Sequence, residues 1–284
     1  MIKNVYHNLP LKFKLIQSFI YVCFTRVFSE DIATLNLNSK IRSSEKLFIF
    51  GSGPSLNNLS VEQLNEINRH DTLSFNSSIL FEGVQWKYYL VREFEQGEAS
   101  FLGIKYNNFV NSVVHQEIAH AVNSNPISRM IAIVNVDWKC GAAQYFARKY
   151  LSKSRGILTY KNLIDRRKNW PPSETMCDIP HGRASLIDAI NIGYILGYKE
   201  LILVGVDLND SIYFNAPDGR DRLMDITRGD AKTIPHLTRD HLLTLLPQWH
   251  EFLRARGASL SVHNAASAAA EVLPIYEEET KRSV

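Results

Sequence analysis

The sequence predicts an α/β fold built on a mainly parallel sheet, and three observations carry that expectation. Short apolar runs rich in strand formers recur at Lys46–Phe50, at 130–136 and at Glu200–Val204. Stretches with helical spacing lie between such runs, as βαβ units require. The first run leads straight into a glycine turn, Gly51-Ser52-Gly53-Pro54-Ser55. Its glycines permit backbone angles and close approaches that a side chain would forbid. Pro54 fixes φ and donates no N–H. Ser55 and Ser60 can each cap a following helical turn. Strand, tight turn and helix start is how α/β proteins hold a nucleotide against free backbone N–H groups. GSGPSL lacks the third glycine of the dinucleotide motif, and an ordinary strand-to-helix turn fits these residues as well.

At 284 residues the chain has room for one large domain, or one domain with an appendage. Its 45% apolar and 21% charged residues are ordinary for a soluble globular protein. A net charge of +3 is too small to point to nucleic acid. The three cysteines, Cys23, Cys140 and Cys177, lie far apart with no CxxC pairing. That argues against a zinc site or a disulfide framework and fits a reducing cytoplasm.

Residues 1–45 differ from the rest and read as a helical extension and linker. The stretch 11–28 mixes large apolar and aromatic residues with Lys12, Lys14 and Arg26. Its uninterrupted apolar part, 19–24, is far short of the ~20 residues that span a bilayer, and no signal-peptide cleavage site is clear. Two readings stand: a basic amphipathic helix on a membrane surface, or a helix packed on the main domain or on a partner subunit. Residues 35–45 are polar and lead into the core domain, 46–284.

In chain order, 61–68 fits a short helix. Asp71–Phe75 and 86–91 are further strands, followed by Asn76 and Arg92. With Ser52, these put a polar residue at three successive strand ends, where ligands bind in open α/β sheets. Polar residues also simply begin loops, so each one alone says little. Residues 111–122 and 141–151 look helical. Residues 152–180 are basic and contain proline, and read as loop and surface helix. In 184–197 the residues Leu186, Ile187, Ala189, Ile190 and Ile195 give a helix an apolar face, and Gly197 ends it. The N-terminal N–H groups of that helix favour an anion, to which Ser185 adds a hydroxyl. Glu200–Val204 ends in Gly205-Val206-Asp207, a fourth polar strand end. About 30 residues of weak periodicity, 209–240, have the length of a lid. A helix over 241–255, a strand at Ser259–Val262, the Asn264-Ala265-Ala266-Ser267 stretch and a small-residue helix close the domain.

GSGPSL with Phe75-Asn76, GYKELILVGVD, a His before the last long helix and the NAAS stretch together resemble the bacterial sialyltransferases of glycosyltransferase family 42. The resemblance runs from residue 46 to 272, and its strongest block is the helix–strand pair at 184–207. It implies a single Rossmann-like, GT-A-type domain and an inverting, metal-independent transfer from a CMP-activated nonulosonic acid. Sialic acid or a Kdo-like sugar would pass to a hydroxyl of a bacterial oligosaccharide, with no cofactor. Donor contacts would come from Gly51, Ser52, Gly53, Pro54, Ser55, Asn76, Arg92, Ser185, Asp207, Tyr213 and Ser267. Ser52 stands where the family has Asn, Arg92 where it has another Asn, and Asn209 where it has a second phosphate-binding tyrosine. His236 best matches the catalytic base, with His263 as its rival. The resemblance also implies a homo-oligomer. Its setting would be the cytoplasm, with 11–28 as a possible contact to the inner face of the inner membrane.

The residues themselves agree on one point. Metal-dependent diphosphate-sugar enzymes usually carry Asp-x-Asp, whereas Asp207/Asp210 and Asp218/Asp221 are Asp-x-x-Asp. A His with a near-neutral pKa suits removal of a proton from a hydroxyl. Two other classes stay open: a non-catalytic nucleotide-sugar-binding protein, and another Rossmann-like enzyme such as a methyltransferase or pyrophosphokinase.

Overall fold

The computed structural model describes residues 41–91, 113–124, 129–136, 147, 150, 151, 153–163, 170–182, 184–209, 214 and 234–277. The extension before residue 41, Arg92, Tyr213 and most of the expected lid lie outside these residues, as does most of the helix expected over 141–151.

Seven strands form one sheet: β1 (Lys46–Phe50), β2 (Asp71–Phe75), β3 (Tyr88–Val91), β4 (Ile131–Asn135), β5 (Gly156–Tyr160), β6 (Glu200–Val204) and β7 (Ser259–Val262). Their order is β5-β4-β3-β2-β1-β6-β7, and every pairing is parallel. The chain steps outward from β1 to β5, then crosses back to lay β6 on the other side of β1. The reversal between β1 and β6 is therefore the topological switch point, where open α/β sheets leave a crevice at the strand carboxyl ends. In register, Phe50 of β1 lies level with Val204 of β6 and Ser74 of β2.

The strands are near-continuously apolar because both faces of the sheet are covered. In β1, Leu47 and Ile49 enter one core while Phe48 and Phe50 enter the other. Helices α3 (Ser185–Ile195) and α4 (Ile234–Arg254) cover the first, through Leu186, Ile187 and Ile190, and through Leu246, Trp249 and Leu253. Helices α1 (Val61–Ile67) and α2 (Val113–Ser124) cover the second, through Ile67, Ile118 and Val122. Ser60 caps α1 in a reciprocal box: the Gln63 N–H donates to Ser60 Oγ at 3.2 Å, and the Ser60 N–H to Gln63 Oε1 at 3.0 Å.

Three expectations need correction. Residues 156–160, expected as loop or surface helix, form the edge strand β5; GILTY carries strand formers, and the surrounding basic run hid them. Helix α4 begins at Ile234 instead of near 241, with Pro235 in its first turn, where a missing N–H costs nothing. It therefore takes the last part of the expected lid, including His236. The turn after β1 is a 3₁₀ helix over Pro54–Asn58, not the start of an α-helix.

The amino-terminal edge of the sheet is closed by a buried polar network. Asp71, the first residue of β2, accepts from the Ser43 N–H at 2.9 Å, from Lys87 Nζ at 2.8 Å, and from the Ser43 and Tyr198 hydroxyls. Burial would push its carboxyl up, but Lys87, Ser43 and Tyr198 together hold it below the usual carboxylate value. Burial lowers Lys87 in turn, against the pull of Asp71. A depressed carboxyl stabilises the fold above its unfolded pKa, and that stability is lost as pH falls through the folded value. Asp71→Asn should cost about 3 kcal/mol at pH 7, because it strands Lys87 without a counter-charge. In urea denaturation, the gap from wild type should close as the pH drops below about 4.

Candidate functional site

The crevice at the switch point is built from the ends of β1 and β6 and the stretch after β7. Gly51 N–H donates to Val204 O and Gly53 N–H to Gly205 O, both at 2.7 Å, so the two strand ends stay zipped together past the sheet. This closeness demands glycine. A Cβ on Gly53 would lie 2.3 Å from Asp207 Oδ2, and Gly205 has φ +65°.

Asp207 ties the parts together and is only 6% exposed. Its Oδ2 accepts the Ser55 N–H at 2.9 Å, its Oδ1 accepts Asn264 Nδ2 at 3.1 Å, and its carbonyl accepts the Ala268 N–H at 2.8 Å. Ser267 closes the same joint. Its hydroxyl lies 2.6 Å from Val206 O and 2.9 Å from Asp207 O, and accepts the Ala269 N–H at 3.0 Å. Asn209 pins the far side, accepting the Ala268 N–H at 2.8 Å and donating to Ala266 O at 2.9 Å. The side chains of Asp207 and Ser267 are thus committed to the protein: they build the wall of the crevice. The N–H groups of Gly51, Gly53 and Ser55 point inward too, and the anion beneath the turn is the carboxylate of Asp207.

The lip is formed by Ser52, Pro54, Ser55 and Asn76, all at least partly exposed. Ser77 Oγ donates to Ser52 Oγ at 3.0 Å, linking the ends of β1 and β2. Ser78 Oγ reinforces the link, accepting the Phe75 N–H at 3.1 Å and lying 2.9 Å from Phe50 O. Asn76 is held at φ +53° and Leu208, beside Asp207, at φ +57°. Such conformations cost about 1–3 kcal/mol each in non-glycine residues and gather at functional sites. The Asn76 carbonyl accepts from the Tyr89 hydroxyl at 3.3 Å, while its side-chain amide makes no hydrogen bond among the described residues. Burial raises the Tyr89 phenol, keeping it a neutral donor. Phe214 comes back over the turn: its N–H donates to Ser52 O at 3.0 Å, its carbonyl accepts Asn57 Nδ2 at 2.9 Å, and its ring packs edge-on against Phe81. Tyr213, next to it, and Arg92 lie outside the described residues.

Ser185 opens α3 at the same carboxyl-terminal edge of the sheet. His236 falls in the first turn of α4, and its side chain lies outside the described set. His263 follows β7 and stacks on the Tyr276 ring with centroids 6.1 Å apart. Leu260 and Val262 enter the core under α3 and α4, so strand alternation sends His263 to the opposite face. Among the described residues, no group of three or more His, Cys, Asp or Glu gathers to hold a metal, and no helix is long and apolar enough to cross a membrane.

Sequence reasoning missed a second polar group on this edge. Asp188, in the first turn of α3, is fully buried. It receives His181 Nδ1 at 3.0 Å, Asn162 Nδ2 at 3.1 Å and the Tyr160 hydroxyl at 3.0 Å. Asn135, at the end of β4, donates to Asn162 Oδ1 at 2.6 Å. A His and an Asp flanking a helix start were visible in the sequence. Their partners come from two distant strand ends, which the sheet alone brings together.

A search of solved structures finds a likeness to the MAf glycosyltransferase from Magnetospirillum magneticum AMB-1, with a TM-score of 0.50 and 15% identity. The likeness is one of fold. It covers 89% of this chain but 36% of that one, so the chain spans little more than a third of that protein's length. No protein-family model matches the chain, and no curated protein matches it either.

The latch makes a direct prediction. Asp207→Asn turns one of the two accepting oxygens into an NH2 donor, so either the Ser55 N–H or the Asn264 amide loses its acceptor. Asp207→Asn should cost about 1–3 kcal/mol in chemical denaturation. Unchanged stability would mean that the carboxylate does not hold the crevice together.

Proposed function

We propose that the chain is a glycosyltransferase. It moves a nonulosonic acid from a CMP-activated donor to a hydroxyl of a bacterial surface glycan, with inversion and without a metal. One observation carries the reading: at the end of β2, next to the switch-point strand β1, Asn76 is held in a strained left-handed conformation with its amide making no hydrogen bond among the described residues, beside the Ser52 and Ser55 lip. These are residues to which the family resemblance assigns donor contacts. The fold neighbour, a glycosyltransferase, supports the reading at the level of reaction class.

In this reading the base and sugar of the nucleotide lie across the β1–β2 lip, hydrogen-bonded to Asn76 and Ser52. Asp207 cannot serve the phosphate, since like charges at close range repel. The single phosphate of a CMP-sugar is held instead by the open N-terminus of α3 with Ser185, and by Tyr213. Ala184 caps α3 without a side-chain hydrogen bond, which leaves first-turn N–H groups for an anion.

Calorimetry against CMP, CDP, ATP and S-adenosylmethionine, with a chelator present, tests the reading. CMP should bind at least about tenfold more tightly than ATP or S-adenosylmethionine. A CMP-nonulosonate should then be hydrolysed or transferred. Asn76→Gly, which keeps the left-handed backbone and removes the amide, should weaken CMP by about tenfold. Absence of CMP binding overturns the proposal. Tight binding with no turnover across donors and acceptors makes the protein a nucleotide-sugar-binding module.

A further inference from the structure

We infer that the His181–Asp188 pair removes the proton from the acceptor hydroxyl in this transfer, an assignment that rests on the glycosyltransferase reading above. The orientation of the pair is fixed from the core outward. Asn135 Nδ2 donates to Asn162 Oδ1 at 2.6 Å, which turns the Asn162 amide nitrogen toward Asp188 Oδ1 at 3.1 Å and Ile179 O at 3.2 Å. Tyr160 fills Oδ2 of Asp188 at 3.0 Å. His181 Nδ1 also reaches Oδ1, at 3.0 Å.

Asp188 is an acceptor, so in the neutral imidazole Nδ1 carries the hydrogen and Nε2 carries the lone pair. No described residue bonds Nε2, and the side chain is 10% exposed. The imidazole thus stands at the carboxyl-terminal edge of the sheet with one nitrogen fixed and the other unengaged. A carboxylate behind an imidazole orients it and stabilises the cation formed when it accepts a proton.

The step balances without any redox partner. The acceptor O–H bond breaks and its proton passes to His181 Nε2. The acceptor oxygen forms a bond to the anomeric carbon as the bond from that carbon to the phosphate oxygen breaks, and the electron pair leaves with CMP. His181 returns the proton to water after release.

The test compares variants of the full chain by steady-state kinetics and CMP calorimetry. His181→Asn keeps a donor toward Asp188 but has no base, so it should fold normally and bind CMP within about twofold of wild type. Its kcat should fall by about 10³-fold. His181→Ala should lose as much, and added imidazole should restore part of the rate. Asp188→Asn should lower kcat with the donor KM unchanged, as a positioning residue would. Wild-type kcat in His181→Asn overturns the assignment and leaves the glycosyltransferase reading standing, as does loss confined to His236→Ala. A wild-type chain that neither binds CMP nor turns over a donor removes both.

Discussion

A buried carboxylate at the switch point holds the crevice together. Taking Asp207 out of water is costly unless its oxygens are satisfied, and the chain satisfies them from two directions. Ser55 comes from the turn after β1 and Asn264 from the stretch after β7, while the Asp207 backbone carbonyl takes Ala268. Three segments distant in sequence therefore meet at one side chain. The requirement for glycine at position 53 follows, because the turn must approach within contact of that carboxylate. So does the strained backbone at Leu208, which lets the chain leave β6 once Asp207 has been placed.

The two ends of the sheet divide the work. At the amino-terminal end, Asp71, Lys87, Ser43, Tyr88 and Tyr198 form a hydrogen-bonded cluster whose groups are turned on one another. Burial raises Tyr198 and Tyr88, so both stay neutral and serve as donors and spacers. Among the described residues no non-glycine residue there has a positive φ, and the cluster anchors residues 41–45 to the core. At the carboxyl-terminal end, Asn76 and Leu208 hold left-handed conformations and polar side chains reach the surface. Strain is tolerated where the surrounding hydrogen bonds over-determine the backbone. Ser77 and Ser78 do this on one side of the crevice, Asn209 and Ser267 on the other.

Much of this was legible in the sequence, for identifiable reasons. β1, β4 and β6 are continuous apolar runs because they are buried on both faces, and α3 is legible from its apolar residues and the Gly197 that follows it. The polar strand ends Ser52, Asn76 and Asp207 were found because the carboxyl edge can be read from the strands alone. What escaped depended on pairing. β5 sits at the sheet edge with Thr159 exposed, so its apolar pattern is broken beside its basic flanks. The roles of Asp207 and Ser267 could not be separated from those of ligand-facing residues, since composition does not say which way a carboxylate turns. His181 carries no sequence signal beyond its place just before α3, because its partner network draws on Asn135, Tyr160 and Asn162 from two other connections.

The inward turn of the GSGPS backbone has a consequence for how an anion is held. In a dinucleotide site, the first glycine turn and the helix behind it present free N–H groups to a pyrophosphate. Here Gly51 and Gly53 donate to β6, Ser55 donates to Asp207, and Pro54 has no N–H to give. The short 3₁₀ helix that follows already has its anion. A ligand carrying two phosphates would thus meet a carboxylate where it needs donors. A monophosphate ester reaches past this point more easily, because its sugar and base need only neutral hydrogen-bonding groups. Ser52, Ser55 and Asn76 are such groups. The phosphate would then fall toward α3, whose uncapped N-terminus faces the same edge and lies one turn from the His181–Asp188 pair. An in-line displacement needs the base on the side of the anomeric carbon opposite the leaving phosphate, so in this arrangement the reacting carbon would lie between the start of α3 and His181 Nε2.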